Sequence, residues 1–134
     1  MINRKNFSFK TVHQIGIQLL TLLEQIHSIG YIYNDLKPDN ICIGTFNDQS
    51  KLHKLQLIDF GLATPYLVID ENREQKHIKE EHKDFQGNLA FSSKNAFKEI
   101  TLSRRDDLIS VIYMLIYLAT GDIPFVSRNK SLED

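Results

Sequence analysis

The chain has 134 residues, 42% hydrophobic and 25% charged, with six Gly, three Pro and a single Cys; that is the composition of one soluble globular domain without a disulfide framework. Sixteen Lys and Arg against seventeen Asp and Glu leave a net charge of -1, so no bulk field gathers nucleic acid or anionic lipid. Neither a secretory leader nor an apolar run of the ~20 residues needed to cross a bilayer is evident, and the expected location is cytoplasmic or nuclear.

Residues 8–29 are predicted to form the first helix. Val12, Ile15, Leu19, Leu22, Leu23 and Ile26 recur at spacings of three and four and line one stripe. Ser8 suits the N-cap, Phe7 and Val12 a hydrophobic staple, and Gly30 the C′ position. Tyr31 to Asn40 then concentrates Asn34, Asp35, Lys37, Pro38, Asp39 and Asn40 in one tight polar connection. Taken alone, Asp35 and Asn40 read equally well as turn residues bonded to their own backbone.

Two apolar runs, Ile41-Cys42-Ile43 and Leu55-Gln56-Leu57-Ile58, predict a small β-hairpin across the polar stretch 44–54, with Cys42 expected to be a buried small hydrophobe. Between Asp70 and Asp84 ten of fifteen residues are charged, which predicts a mobile exposed loop. A second helix is expected from about Arg104 to Thr120. The capping box Ser103-Arg104-Arg105-Asp106 opens it, Gly121 closes it, and Pro124 follows. It carries no charge from Leu108 onward, so it should be buried on nearly every side, and Tyr113, Met114 and Tyr117 should be core. Too little chain remains to wrap such a helix, and the domain is expected to be incomplete.

Three pieces stand in order: Asp35-Leu36-Lys37-Pro38-Asp39-Asn40 after a helix, Asp59-Phe60-Gly61 after a strand, and Ser103-Arg104-Arg105-Asp106-Asp107 opening a helix. This order resembles the C-terminal lobe of a eukaryotic protein kinase. Gly87-Asn88-Leu89-Ala90-Phe91-Ser92-Ser93-Lys94-Asn95 and the run from Ser103 to Leu108 are similar to the casein kinase I family. So is Asn6-Phe7-Ser8-Phe9-Lys10-Thr11-Val12, and the likeness extends from about Asn6 to Phe125.

The resemblance implies a mainly α fold with a small β-hairpin. It implies an incomplete C-terminal lobe of a domain that is α+β when whole, with 62–86 as a mobile activation segment. It also implies a serine/threonine protein kinase that uses ATP and Mg2+ on Ser or Thr of protein substrates. By the same likeness Asp35 accepts the substrate proton, Asn40 and Asp59 bind Mg2+, and Lys37 sits beside the transferred phosphate. Tyr33 and Phe60 pack together, Gly61 permits a sharp turn after Asp59, and Asp107 supports the loop backbone from below. Asp39 reads as a surface carboxylate.

Departures from the family pattern fall at Asn34, where an Arg usually pairs with an anion, and at Asn88, where a Thr usually bridges base and lysine. The segment holds no glycine-rich loop and no strand lysine of the kind that clamps ATP. Those absences leave a second reading: a non-catalytic pseudokinase or remnant that binds a partner protein.

Overall fold

A computed structural model describes residues 6–44 and 51–123. Helix α1 (Phe9–Ser28) opens on Ser8, whose hydroxyl accepts from Thr11 N, and it buries Val12, Gly16, Leu19 and Leu23 on one stripe. Gly30, at φ 87°, reverses the chain into β1 (Tyr31–Ile32), as a C′ glycine does without steric cost. After a 3-10 turn at Pro38–Asn40 comes β2 (Ile41–Ile43). It pairs antiparallel with β3 (Leu55–Leu57) in the register Ile41 to Leu57 and Ile43 to Leu55. The expected hairpin is therefore present, and residues 45–50 of its connection lie outside the described residues.

The charged stretch 70–84 is exposed as expected, but residues 75–77 of it form a strand. Strand β4 (Thr64–Pro65) pairs with β1, and β5 (Leu67–Ile69) pairs antiparallel with β6 (Gln75–His77). Charge had hidden the ladder, because both strands are exposed and no alternation of apolar residues marks them. What holds the turn is local. The Asp70 carboxylate accepts from the N–H groups of Asn72 and Glu74, both at 2.9 Å, and pairs with the Lys76 ammonium across the ladder. Lys76 and the two backbone donors hold the Asp70 carboxyl below its ordinary value.

A single turn of helix, α2 (Lys94–Phe97), precedes α3 (Arg104–Thr120). The capping box at Ser103 and Asp106 forms as expected, and Gly121 closes α3 at φ 77°; Pro124, read as the stop beyond it, lies outside the described residues. Helix α3 packs against α1, and the core gathers Leu19, Leu23, Tyr33, Leu36, Leu55, Phe91, Val111 and Met114, with Tyr113 and Tyr117 partly buried against it. Leu108 and Ile112 are exposed, so within the described residues α3 has an open side, in line with the expected shortage of chain to wrap it. One expectation fails: Cys42 is exposed, because the pleat turns it away from the helices while its neighbour Ile41 packs on the core.

The buried face of α3 begins with two carboxylates, Asp106 and Asp107, followed by Ser110, Val111 and Met114. From the helix start Asp107 reaches the backbone of residues 33 and 34 and Asp106 reaches Ser93 and Asn95, while Val111 and Met114 serve the core. Among the described residues no helix is long and apolar enough to cross a membrane.

Leu19 and Leu23 are fully buried at the α1–α3 contact. Leu19→Ala or Leu23→Ala should each lower unfolding free energy by about 2–5 kcal/mol, since lost transfer energy and a cavity add. Denaturant unfolding followed by circular dichroism measures this, and a loss below ~1 kcal/mol would place the core elsewhere.

Candidate active site

Asp107 organises the loop above it. Its Oδ2 accepts from Tyr33 N at 2.8 Å and its Oδ1 from Asn34 N at 2.8 Å, while His27 Nε2 on α1 donates to Oδ2 at 2.8 Å. Three groups from two elements thus converge on one buried carboxylate, and the loop backbone is fixed to both helices.

The next residues are set by that anchorage. Asn34 adopts φ 68°, a left-handed conformation that Asn tolerates better than most side chains. Its Nδ2 donates to Leu62 O at 2.8 Å and to Thr64 Oγ1 at 2.9 Å, so a neutral amide ties the loop to the segment after Asp59. Asn34 Oδ1 is buried with no hydrogen-bond partner, and the cost of that orphan is about 1–3 kcal/mol.

Asp35 is buried and receives three donors. Lys37 Nζ lies at 2.6 Å from Oδ2, Asn40 Nδ2 at 3.0 Å from Oδ2, and Asn88 Nδ2 at 3.2 Å from Oδ1. The hydrogen bond to Asp35 holds the Lys37 ammonium above its ordinary value, and the charges of Asp35, Asp59 and Asp39 add to the effect. Asn40 Nδ2 also donates to Asp35 O at 2.9 Å. Its amide nitrogen is thereby committed to Asp35, and its carbonyl oxygen is the atom it can offer to a cation.

Asp59 follows β3, and Ile58 N donates to Asn40 O at 3.0 Å, which sets the two polar segments side by side. Asp59 itself is left-handed at φ 59°, and its Oδ1 accepts from Gly61 N at 3.1 Å. The sharp bend expected at Gly61 is therefore one of Asp59, because Gly61 is not in the left-handed region. Such a conformation costs a non-glycine residue roughly 1–3 kcal/mol and persists where surrounding contacts enforce it.

Tyr33 supplies some of those contacts. Its ring packs edge-on against Phe60 at 5.3 Å and its hydroxyl donates to Ile58 O at 2.5 Å. Burial pushes that hydroxyl up to about 12; a hydrogen bond with Asn40 opposes the shift and the charges of Asp35, Asp59 and Asp107 reinforce it. The group remains a donor at any physiological pH.

Four residues that the family pattern marks only as departures or as sequence signatures, Gly87, Asn88, Ser93 and Asn95, have structural roles. Asn88, besides meeting Asp35, donates to Leu36 O at 3.0 Å and accepts from Phe91 N at 2.8 Å, so it fastens residues 87–92 to the loop. Gly87 beside it stands at φ 120°, where a Cβ would lie 2.5 Å from Ser92 Oγ. Ser93 Oγ and Asn95 Nδ2 both donate to Asp106 Oδ1, at 2.6 and 2.8 Å, which explains why Ser, Asn and Asp occur at those three positions. Asp39 is exposed, and among the described residues no hydrogen bond or ion pair joins it to the cluster, which it influences only through its charge on Lys37.

Asn40 and Asp59 offer one amide and one carboxylate oxygen, a hard donor set that fits Mg2+, which binds through one or two carboxylates together with phosphates and water. The Asp35 carboxylate, flanked by an ammonium and two amide donors, is a Brønsted base of the kind that can take a proton from a hydroxyl.

Comparison with known proteins agrees with this chemistry. The chain matches the protein kinase domain family over residues 1–134. It is also similar to casein kinase I homolog 2 of Saccharomyces cerevisiae, 36% identical over 122 residues, which is 90% of this chain. The chain spans about a fifth, 22%, of that relative's length.

Asp107→Ala should strip the acceptor from two buried N–H groups at once, at about 1–3 kcal/mol each. Hydrogen exchange is the direct readout: the amides of Tyr33 and Asn34 should lose protection while those of α1 keep it. Unchanged protection at both positions would show that Asp107 does not carry the loop.

Proposed function

This chain belongs to the protein kinase family and is of the casein kinase I type, and from that premise we propose that residues 1–134 are part of a serine/threonine kinase domain. The part is its C-terminal lobe, with a mainly α core in α1 and α3 and an activation segment at 62–86. The activity is transfer of the γ-phosphate of ATP, with Mg2+, to Ser or Thr hydroxyls of proteins.

The observation that supports this reading most is the convergence on Asp35. An isolated turn would satisfy Asp35 from its own neighbours, whereas here donors arrive from positions 37, 40 and 88, the last from a distant segment. Phosphoryl transfer asks mainly for positioning and charge stabilisation, and each residue has a part in that. Asp35 orients the substrate hydroxyl and takes its proton, and Lys37 places an ammonium where charge grows on the transferred group. Asn40 and Asp59 hold Mg2+, whose role when bound is to neutralise the phosphate oxygens. Tyr33 and Phe60 keep Asp59 turned toward the cluster, and Asn88 fixes the rotamer of Asp35.

The departures at Asn34 and Asn88 are compatible with this reading. Asn34 replaces a charged fork by two neutral hydrogen bonds to 62–64, so the segment is held without a phosphate on it. A non-catalytic, partner-binding role remains the alternative that the same two substitutions favour.

The separating experiment is a γ-phosphate transfer assay with Mg2+ on a serine peptide. Residues 1–134 alone contain no glycine-rich loop, and they should show no transfer. In a polypeptide that joins them to a glycine-rich loop and a strand lysine, transfer should appear. There, Asp35→Asn should lower kcat by about 10^2–10^4-fold, as removal of a general base does, and Asp59→Asn should raise the Mg2+ requirement. An unchanged kcat in Asp35→Asn would remove the base from the mechanism, and no transfer by the joined polypeptide would leave the binding module.

A further inference from the structure

We propose that Lys83 is a positioning residue for the loop that carries Asp35: its ammonium enters the small cavity beside Asn34 and donates to the buried Asn34 Oδ1. The inference rests on the kinase reading above and concerns how the residue before Asp35 is held. The cavity, about 60 Å3, lies between Asn34 and Thr64 on one side and residues 83, 84, 86 and 100–102 on the other.

What the cavity lacks is a donor. Asn34 is 7% exposed, and both N–H bonds of its amide are spent, on Leu62 O and Thr64 Oγ1. Its Oδ1 is buried and accepts from nothing among the described residues, which is costly for a group shut away from water. An anion in this space would face those lone pairs and leave the oxygen unsatisfied. An ammonium carries donors only, and a charge-assisted bond is the stronger kind. With room for about two waters, ~30 Å3 each, the cavity admits an ammonium and excludes a peptide segment.

Lys83 is placed to supply it. It lines the cavity, and among the described residues no ion pair or hydrogen bond engages its ammonium. Its backbone is fixed alongside: Lys83 N donates to Glu99 O at 2.7 Å, Thr101 N donates to Glu81 O at 2.9 Å, and His82 bridges to Ile100. The side chain is exposed, so reaching Asn34 takes rotation of its four-carbon stem, and closure gives up the rotamer freedom of one lysine. Asp84 is on the same lining, so the charge is not enclosed without a partner. Gln86 also lines the cavity, but its amide brings an acceptor along with its donors.

With the bond made, Asn34 joins three segments. Its nitrogen holds 62–64, its oxygen holds 83, and through the 81–83 ladder the loop is tied to 99–101 as well.

The first test needs no variant. Brief acetylation of the chain with acetic anhydride, read by mass spectrometry, should modify Lys83 at least about fivefold more slowly than Lys79, Lys94 and Lys98, the ratio expected when one hydrogen bond favours the closed position. Lys83→Met should move the 1H–15N signals of the Asn34 side-chain amide, and inorganic phosphate should not move them. In the polypeptide joined to a glycine-rich loop and a strand lysine, Lys83→Met should lower kcat several-fold and leave KM for ATP unchanged. Acetylation of Lys83 as fast as that of Lys79 would overturn the proposal. So would amide signals unmoved in Lys83→Met, or moved by phosphate. A kcat equal to the parent's would overturn the positioning role. Absence of transfer by the joined parent would count against the kinase reading alone, because acetylation and the amide signals do not depend on turnover.

Discussion

The buried carboxylate of Asp107 is the constraint on which the rest of the site depends. Two consecutive backbone N–H groups, at Tyr33 and Asn34, have no partner in a helix or a sheet and would be orphaned in the interior without it. A carboxylate at the first turn of α3 is itself favoured by the helix dipole, so the position that stabilises the helix also supplies the acceptor. His27 completes the arrangement from α1. The contact between the two long helices is thus transmitted to the loop as fixed geometry.

Strain is concentrated where that geometry is used. Asn34 and Asp59 are both left-handed, at φ 68° and 59°, and they lie on either side of the Tyr33–Phe60 ring contact. Asn34 is locked by bonds across the gap to Leu62 and Thr64, and Asp59 by a local bond from Gly61 N. Neither conformation would persist in an isolated peptide. The folded core of α1, α3 and Leu36 surrounds the loop in which the first of them lies.

Asn88 illustrates how a substitution can preserve a function of position while changing its chemistry. A carboxamide has two donors and an acceptor, and all three are used: toward Asp35 and Leu36 on one side and Phe91 on the other. The residues after Gly87 are therefore fastened to the same loop that Asp107 holds from beneath, through a side chain without charge.

Periodicity and end signals were enough to locate α1, α3 and the β2–β3 hairpin, because each depends on interactions within a few residues: Ser8 with Thr11, Ser103 with Asp106, Gly30 and Gly121 at positive φ. The order of Asp35, Asn40, Asp59 and Asp107 was likewise legible as a pattern. Hairpin β5–β6 was not, since it is exposed on both strands and is held by one carboxylate at its turn. The outward turn of Cys42, the open side of α3, the left-handed Asp59 and the grip of Asn88 on Asp35 were decided only in three dimensions. The grip of Asn88 on Asp35 joins residues 53 positions apart, and no local pattern encodes which residues at such separations meet.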